Sequence, residues 1–179
     1  MVKRELTPMP TLQTERLILR AHTRADFAAC AAMWSDPRVT AFIGGTPSSA
    51  PQTWMRMLGY RGLWSLLDYG YWAVEERSSG AYIGDVGFAD FQRVLVPSIA
   101  GIPEMGWVLT PSAHGRGYAT EATSAALAWA DEYLDAPRIA CIIAPENAPS
   151  IRVAAKCGFL EIARTTYQEK PTILFERSR

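Results

Sequence analysis

One segment of the chain, residues 104–144, constrains the fold more than any other. It reads as a strand, a loop with two glycines, an alanine-rich helix and a second strand. Two strands joined through a helix in one sheet run parallel, with a right-handed crossover. The second strand, residues 138–144, is apolar on both faces, which is typical of a central strand covered on both sides. The segment therefore predicts an α/β sheet with helices on both faces.

Hydrophobic periodicity predicts the elements on either side of this unit. The predicted helices cover residues 24–34, 51–67 and 148–156, the last of which ends at Gly158. The predicted strands cover residues 16–21, 71–76, 82–91, 160–167 and 172–176, with a turn at Lys170 and Pro171 between the last two. No break in composition separates these elements, so we expect a single domain over residues 1–179.

The charge balance and the cysteines argue against several classes of protein. Lys+Arg and Asp+Glu balance at 18 each, so no basic excess indicates a nucleic-acid or anionic-membrane partner. No apolar run has the length of a signal peptide or a transmembrane helix. The three cysteines, Cys30, Cys141 and Cys157, are far apart and odd in number. They predict neither a disulfide framework nor a metal site, and they fit a reducing cytoplasm. Cys141 and Cys157 are expected to be buried packing residues.

The two glycines of the loop, Gly115 and Gly117, stand where the helix begins. Glycine at such a place serves either a tight turn or a backbone that approaches an anion. The P-loop pattern is absent, and Thr120 occupies the third position of a dinucleotide fingerprint, which also begins too far from the strand. A longer cradle of backbone N–H groups at the helix N-terminus, suited to a diphosphate, remains as the functional alternative to simple turn geometry.

The loop and three other segments resemble one family. The string "HGRGYATEA" resembles the pyrophosphate loop of the GNAT N-acetyltransferases, Q/R-x-x-G-x-G/A, with His114, Gly117 and Ala119 at its first, fourth and sixth places. His114 departs from the usual Gln or Arg. "TERLILRAHT", "WAVEERSSGAYIGDVGF" and "ENAPSIRVAAKCGF" resemble the branch of this family that acetylates the N-termini of ribosomal proteins. The resemblance implies a mixed, mostly antiparallel sheet whose central parallel strands are splayed to hold CoA.

The resemblance also implies which residues hold the cofactor. Backbone N–H groups on the strand before the loop would bind the oxyanion and the pantetheine chain, with a bulge separating that strand from its parallel neighbour. Asn147 would bind the pantetheine amide, and Ser150 would lie at the sulfur end. The cofactor-binding residues implied are Trp107, Val108, Leu109, His114, Gly115, Arg116, Gly117, Tyr118, Ala119, Thr120, Asn147 and Ser150.

The family's reaction is direct transfer of the acetyl group from acetyl-CoA to an amine through a tetrahedral intermediate. Glu104, in "PEMGW", resembles the glutamate of "EIGYW" and would be the general base, its pKa raised beside Trp107. The alternative is a carboxylate that faces solvent or pairs with an arginine. Ala154 stands where many relatives carry a tyrosine that acts as the general acid. Ser150 is therefore the candidate hydrogen-bond partner of the leaving thiolate. Its alternative role is a helix-end hydrogen bond.

The acceptor is the least constrained part of this interpretation. The branch resemblance favours a protein or peptide N-terminal α-amine. A small-molecule amine such as an antibiotic, polyamine or metabolite, and a CoA-binding module without catalysis, are the alternatives. We expect His22 to be structural or solvent-facing. The chain is expected to be a monomer or a homodimer, the latter through an edge strand near the C-terminus.

Overall fold

A computed structural model describes residues 9–179, and it contains a single open sheet of eight strands in the order β1-β2-β3-β4-β5-β6-β8-β7. All neighbouring strands pair antiparallel except β5 and β6, which are parallel. This confirms the predicted mixed, mostly antiparallel sheet. The strands are β1 Leu12–Gln13, β2 Leu17–Arg20, β3 Tyr71–Glu76, β4 Ala81–Ala89, β5 Glu104–Leu109, β6 Arg138–Ile143, β7 Leu160–Tyr167 and β8 Lys170–Ser178.

Helices cover both faces of the sheet, as predicted. They are α1 Phe27–Trp34, α2 Pro37–Thr40, α3 Ala50–Leu67, α4 Tyr118–Tyr133 and α5 Ala148–Lys156. Side chains alternate between faces along a strand, so neighbouring residues of β5 reach different cores. Leu109 packs with Ala122 and Ala126 of α4, whereas Val108 packs with Cys30 and Met33 of α1 on the other face. No helix within residues 9–179 is long and apolar enough to cross a membrane.

The parallel strands β5 and β6 meet at one point and then separate. Glu104 pairs with Ala140, whose N–H donates to the carbonyl of Pro103 over 3.1 Å. By contrast, β4 pairs with β5 along its whole length, from Ala89 opposite Glu104 to Gly84 opposite Leu109, without a register shift. The predicted splay is therefore present, but the predicted bulge in β5 is not. The gap opens because β6 diverges from a continuous β4–β5 ladder.

The short elements and the element ends differ from the prediction. Strand β1 and helix α2 were not predicted because they are too short for a periodicity to show. Asp36 is the N-cap of α2 and Pro37 its first residue, and the Asp36 carboxylate accepts the N–H of Arg38 at 2.8 Å.

The last turn was also misplaced. It consists of Gln168 and Glu169, with φ of 47° and 64°, whereas Lys170 and Pro171 already belong to β8. Two left-handed residues in succession give the tight hairpin turn that matches the twist of the flanking strands. Other ends shifted by a few residues: β4 ends at Ala89 instead of residue 91, and β2 begins at Leu17.

Candidate active site

An open cleft of about 520 Å³ lies where β5 and β6 separate. One wall is the end of β5, the glycine loop and the start of α4, and a second wall is α5. A third wall is α2 with the residues that follow it. The lining residues are Arg38, Val39, Phe42, Ile43, Trp107, Val108, Leu109, Ala113, His114, Gly115, Gly117, Tyr118, Ala119, Thr120, Asn147, Pro149, Ser150, Arg152, Val153 and Lys156.

The structure thus brings most of the predicted cofactor residues together and leaves out Arg116. The guanidinium of Arg116 turns to Glu76, with 2.9 Å between Nη2 and Oε1. The same carboxylate accepts the Tyr118 hydroxyl at 2.6 Å. Arg16 donates to the Arg116 carbonyl at 2.9 Å and forms an ion pair with Glu121 at 2.6 Å. These contacts fix the loop from outside the cleft, so Arg116 is placed to hold the loop in position.

The loop glycines adopt a backbone conformation that other residues seldom reach. Gly115 has φ of 74° and Gly117 has φ of 80°, both in the left-handed region. A Cβ on Gly115 would meet nothing within 4 Å, and one on Gly117 would only touch Arg16 at 3.5 Å. Backbone conformation, and not lack of space, therefore requires glycine. Gly117 is the N-cap of α4 and provides no side-chain cap, so the first N–H groups of α4 remain available to an anion.

His114 fastens the start of the loop to the end of β5. Its Nε2 lies 2.9 Å from the carbonyl oxygen of Leu109. A carbonyl only accepts hydrogen bonds, so Nε2 carries the proton and donates it. The departure from Gln or Arg at this position therefore retains a side-chain donor, although the donor is used within the protein.

The backbone of β5 presents alternate N–H groups to the cleft. The Pro103 carbonyl faces β6, and the N–H of Thr110 donates to Ile83 on the β4 side at 2.8 Å. By alternation along the strand, the N–H groups of Trp107 and Leu109 face the gap, and that of Val108 faces β4. Val108, also predicted as a backbone ligand, lines the cleft, and its side chain packs in the core with Cys30 and Met33.

Helix α5 contributes the opposite wall. The Asn147 carbonyl oxygen Oδ1 accepts the backbone N–H of Ser150 at 3.2 Å and so caps the helix. This cap uses the Ser150 backbone, and it leaves the Asn147 amide nitrogen and the Ser150 hydroxyl for other contacts. Arg152 and Lys156, which line the same wall, were missed by the sequence interpretation. Their spacing of four residues on a predicted helix was a usable signal, because such residues share one face.

Ala154 lies elsewhere in the fold. It is fully buried in the main core, so the position usually held by tyrosine is occupied by core packing in this chain. A tyrosine introduced there would overpack the core.

Glu104 is placed differently from the prediction. It is buried, lies outside the lining of the open cleft, and pairs with Arg93 at 2.6 Å between Oε2 and Nε. Trp107 is three residues away and so faces the other side of the sheet, where it packs on the main core. Burial raises the pKa of Glu104 and the Arg93 cation opposes that rise. Of the alternatives left open by the sequence, pairing with an arginine is the one present.

Two further expectations concern buried residues. His22 is structural, since it is 6% exposed and its Nε2 lies 2.7 Å from Oδ1 of Asp85. Cys141 and Cys157 are buried, and burial raises the pKa of both thiols. Neither thiol lines the cleft, in keeping with packing roles.

The third wall of the cleft belongs to α2 and the loop after it. Val39, Phe42 and Ile43 present apolar surface, and Arg38 pairs with Asp36 at 2.6 Å. The loop is tied to the far end of the chain, because Lys170 Nζ donates to the Gly44 carbonyl at 2.8 Å. The turn between β7 and β8 therefore borders the same side of the cleft.

Comparison with known proteins identifies the class. The family model described as the acetyltransferase (GNAT) domain matches residues 16–160. The uncharacterized N-acetyltransferase p20 of Bacillus licheniformis is 29% identical over 154 residues, which are 84% of this chain and 83% of that protein. A crystal structure of an acetyltransferase from Agrobacterium tumefaciens is 30% identical, with a TM-score of 0.82, and covers 97% of this chain and 96% of its own.

A ribosomal L7/L12 α-N-protein acetyltransferase in complex with coenzyme A shares the fold at 14% identity. Its TM-score is 0.77, with 94% of this chain and 98% of that chain covered. The fold, the cleft and these matches define an acetyltransferase. The chain belongs to the GNAT acetyltransferase family.

Proposed function

We propose that this protein transfers the acetyl group of acetyl-CoA to the α-amine at the N-terminus of a protein or peptide. The observation that supports this acceptor most directly is the chemistry of the cleft walls. Of the described residues that line the cleft, none carries a carboxylate, whereas Arg152 and Lys156 carry positive charge and Arg38 is already paired with Asp36. The third wall is apolar. A polycationic acceptor would find no counter-charge there.

The size of the electrostatic effect favours an acceptor with one positive charge. Two like charges 4 Å apart repel by about 1 kcal/mol in water and by about 4 kcal/mol at an effective dielectric constant of 20. The phosphates of CoA would neutralise Arg152 and Lys156, but they would not supply negative charge beside Val39, Phe42 and Ile43. A polyamine or aminoglycoside would therefore bring unpaired charges to an apolar wall. A peptide N-terminus brings one amine and a side chain that can pack on it.

The cofactor would lie along the gap in the sheet. The diphosphate would occupy the Gly115–Gly117 loop and the N-terminus of α4, where N–H groups are free. The pantetheine chain would pair with the N–H groups of Trp107 and Leu109 in the manner of an added strand. One of those donors would also stabilise the oxyanion of the tetrahedral intermediate. Asn147 would bind the pantetheine amide through its free amide nitrogen.

Proton transfer is assigned to Glu104 as the final acceptor of the amine proton. An α-amine titrates near 8 and a lysine amine near 10.4, so the α-amine demands less of the base. A carboxyl group whose pKa is raised by burial is a better base than an ordinary one, which partly compensates for its pairing with Arg93.

A panel of acceptors tests the proposal. Wild-type protein and acetyl-CoA would be incubated with a peptide that has a free N-terminus and no lysine, the same peptide with a blocked N-terminus and one lysine, spermidine, an aminoglycoside and a hydrophobic monoamine. CoA release and mass spectrometry would locate the acetyl group. We expect the free-N-terminus peptide to be the best acceptor. Preference for spermidine or the aminoglycoside would overturn the assignment, and turnover of the monoamine alone would replace it with a small-molecule acceptor.

Ser150 is expected to assist the leaving thiolate by a hydrogen bond. Ser150→Ala should lower kcat by about 10-fold, equivalent to ~1.4 kcal/mol, and leave acetyl-CoA affinity nearly unchanged. The helix cap should survive, because it uses the backbone N–H of Ser150. Ser112→Ala, which removes an exposed hydroxyl outside the cleft lining, is the matched control. Steady-state kinetics measure the effect. Full activity in Ser150→Ala would mean that Ser150 has only a structural role at the end of the helix.

A further inference from the structure

The third wall of the cleft belongs to one segment of the chain, residues 35–47, whose two ends meet at Trp34. The N–H of Ser48 donates to the Trp34 carbonyl at 2.9 Å and so closes the segment. Trp34 is itself fixed, because it is buried, its indole N–H donates to Asp85 at 3.3 Å, and Cζ of Arg56 lies 3.7 Å from its ring centroid. Both ends of the segment are therefore anchored to the core.

The middle of the segment has less support. Val39 is buried and packs beside α1, whereas Phe42 and Ile43, which also line the cleft, are 45% and 39% exposed. The N–H groups of Ile43 and Gly45 both donate to the Thr40 carbonyl at 2.9 Å, so these hydrogen bonds stay within the segment. The position of the two exposed apolar side chains therefore depends on what holds the segment from outside.

One side chain reaches this part of the segment from the far end of the protein. Lys170 Nζ donates to the Gly44 carbonyl at 2.8 Å, and a Cβ on Gly45 would come within 3.2 Å of the same ammonium. Gly44 and Gly45 have φ of 81° and 82°, in the left-handed region that glycine reaches without strain. Among residues 9–179, no other hydrogen bond joins residues 41–47 to the chain outside the segment.

The backbone of Lys170 is placed to serve as a support. Lys170 pairs with Tyr167 across the turn of the β7–β8 hairpin, and its carbonyl accepts the Thr172 hydroxyl at 3.2 Å. The Tyr167 ring lies against the guanidinium of Arg93, with 4.7 Å from Cζ to the ring centroid, and Arg93 pairs with Glu104. The hairpin is therefore held on the buried side of the sheet while its lysine reaches the third wall.

We propose that Lys170 is a positioning residue, which holds Phe42 and Ile43 at the cleft and so gives the enzyme a preference for acceptors with an apolar side chain beside the amine. This role rests on the acetyl transfer proposed above. Apolar side chains exposed at a cleft favour a substrate that removes them from water. In a closed hydrophobic pocket one methylene group is worth about 10–200-fold in discrimination, and an open wall such as this one should lie at the lower end.

Hydrogen exchange in the ligand-free protein tests the positioning directly. Lys170→Met keeps an unbranched side chain of similar length but removes the donor to Gly44. The amides of Ile43 and Gly45 should then exchange at least about threefold faster, because the turn that protects them loses its outside support. Lys170→Arg, which retains a donor, should stay close to wild type. Unchanged exchange of both amides in Lys170→Met would overturn the positioning role.

Kinetics with two peptides test the preference. The peptides lack lysine and differ only in their first residue, leucine or glycine. Wild-type kcat/KM should favour the leucine peptide by at least about 10-fold. Lys170→Met should reduce this ratio at least about threefold, mainly through the KM of the leucine peptide, because the wall contacts substrate and transition state alike. Lys170→Arg should restore the ratio.

The matched control removes a different cation from the same hairpin. Arg164→Met takes away an exposed guanidinium that pairs with Glu161 of the same strand, far from the Gly44 carbonyl in the hydrogen-bond network. It should keep the wild-type ratio of the two peptides. An equal loss on both peptides in Lys170→Met, with the ratio unchanged, would overturn the role in specificity. So would a reduced ratio in Arg164→Met, because the charge of the hairpin would then be responsible.

Failure of the positioning role and failure of the proposed transfer give different results. If wild-type protein acetylates a small amine and no peptide, the peptide assignment falls, and hexylamine against ethylamine replaces the two peptides in the ratio. Acetylation of no amine at all would overturn the proposed transfer together with the preference. Hydrogen exchange would still decide whether Lys170 holds the segment, because it requires no acceptor.

Discussion

Replacing Glu104 with glutamine is expected to lower kcat by about 10²–10⁴-fold, the usual contribution of a general base. Acetyl-CoA affinity should hardly change, since Glu104 lies outside the cleft lining. The loss should be larger for an acceptor of higher amine pKa, because such an amine depends more on the base. Initial rates with an α-amine peptide and a lysine peptide would measure both effects.

The same carboxylate should set the acid limb of the pH profile. Glu104 accepts a proton only when it is ionised, so kcat should fall as pH drops through its pKa. Burial raises that pKa from the ordinary value of 4.5 against the opposing effect of Arg93, so the limb should lie above that ordinary value. Glu104→Gln should lose the limb along with the activity.

Loss of the ion pair with Arg93 must be separated from loss of the base. Asp131→Asn is the matched control, because it breaks an ion pair with Arg177 of the same length, 2.6 Å, on α4 away from the cleft. It should retain wild-type kcat. Wild-type turnover by Glu104→Gln between pH 6 and 9 would remove Glu104 from the mechanism.

Replacing Gly117 with valine is expected to weaken CoA binding by at least about 10-fold. A residue other than glycine in the left-handed conformation costs roughly 1–2 kcal/mol, and a β-branched residue is particularly unsuited to it. The loop should therefore leave the conformation in which its N–H groups and those of α4 surround the diphosphate. Calorimetric titration with CoA measures the change.

Gly80→Val provides the comparison for this experiment. Gly80 has φ of 67° in the turn between β3 and β4, and a Cβ there would meet nothing within 4 Å. It should show a similar loss of stability and no loss of CoA affinity. Equal affinity in folded Gly117→Val and wild-type protein would mean that the loop does not bind the diphosphate.

Local patterns in the sequence predicted residues that the structure brings together in two walls of the cleft. Gly115 and Gly117 come just before the start of α4, and Asn147 and Ser150 belong to one helix turn. Residues close together in the sequence were therefore enough to identify these positions. The parallel direction of β5 and β6 followed from the crossover rule in the same way. The family match confirms the class of enzyme that these patterns indicated.

The third wall of the cleft depended on information that no short stretch of sequence contains. Val39 of the short helix α2 and Phe42 and Ile43 of the loop after it line the cleft, and neither a single helical turn nor a loop has a periodicity that assigns a side chain to a face. The direction of Glu104 was unreadable for a related reason. A single bulge reverses every later side chain of a strand, and the expected bulge was absent. Arg93, the partner of Glu104, lies in the loop before β5. Asp85, the partner of His22, is 63 residues away in the sequence.

The single pairing of Glu104 with Ala140 divides the sheet into two blocks, β1 to β5 and β6 with β8 and β7. Backbone hydrogen bonds hold each block together, but few of them connect the two. Cooperativity across the sheet must then come from side-chain packing, of α4 and α5 on one face and of Leu95, Ile99 and Ile102 with the β6 and β8 residues Ala140 and Leu174 on the other. The backbone amides of Trp107 and Leu109 would exchange with solvent as those of an edge strand do, although β5 lies in the middle of the sheet. A ligand bound between the two blocks would make hydrogen bonds where β5 and β6 make none with each other. It would raise the melting temperature in proportion to the logarithm of its concentration.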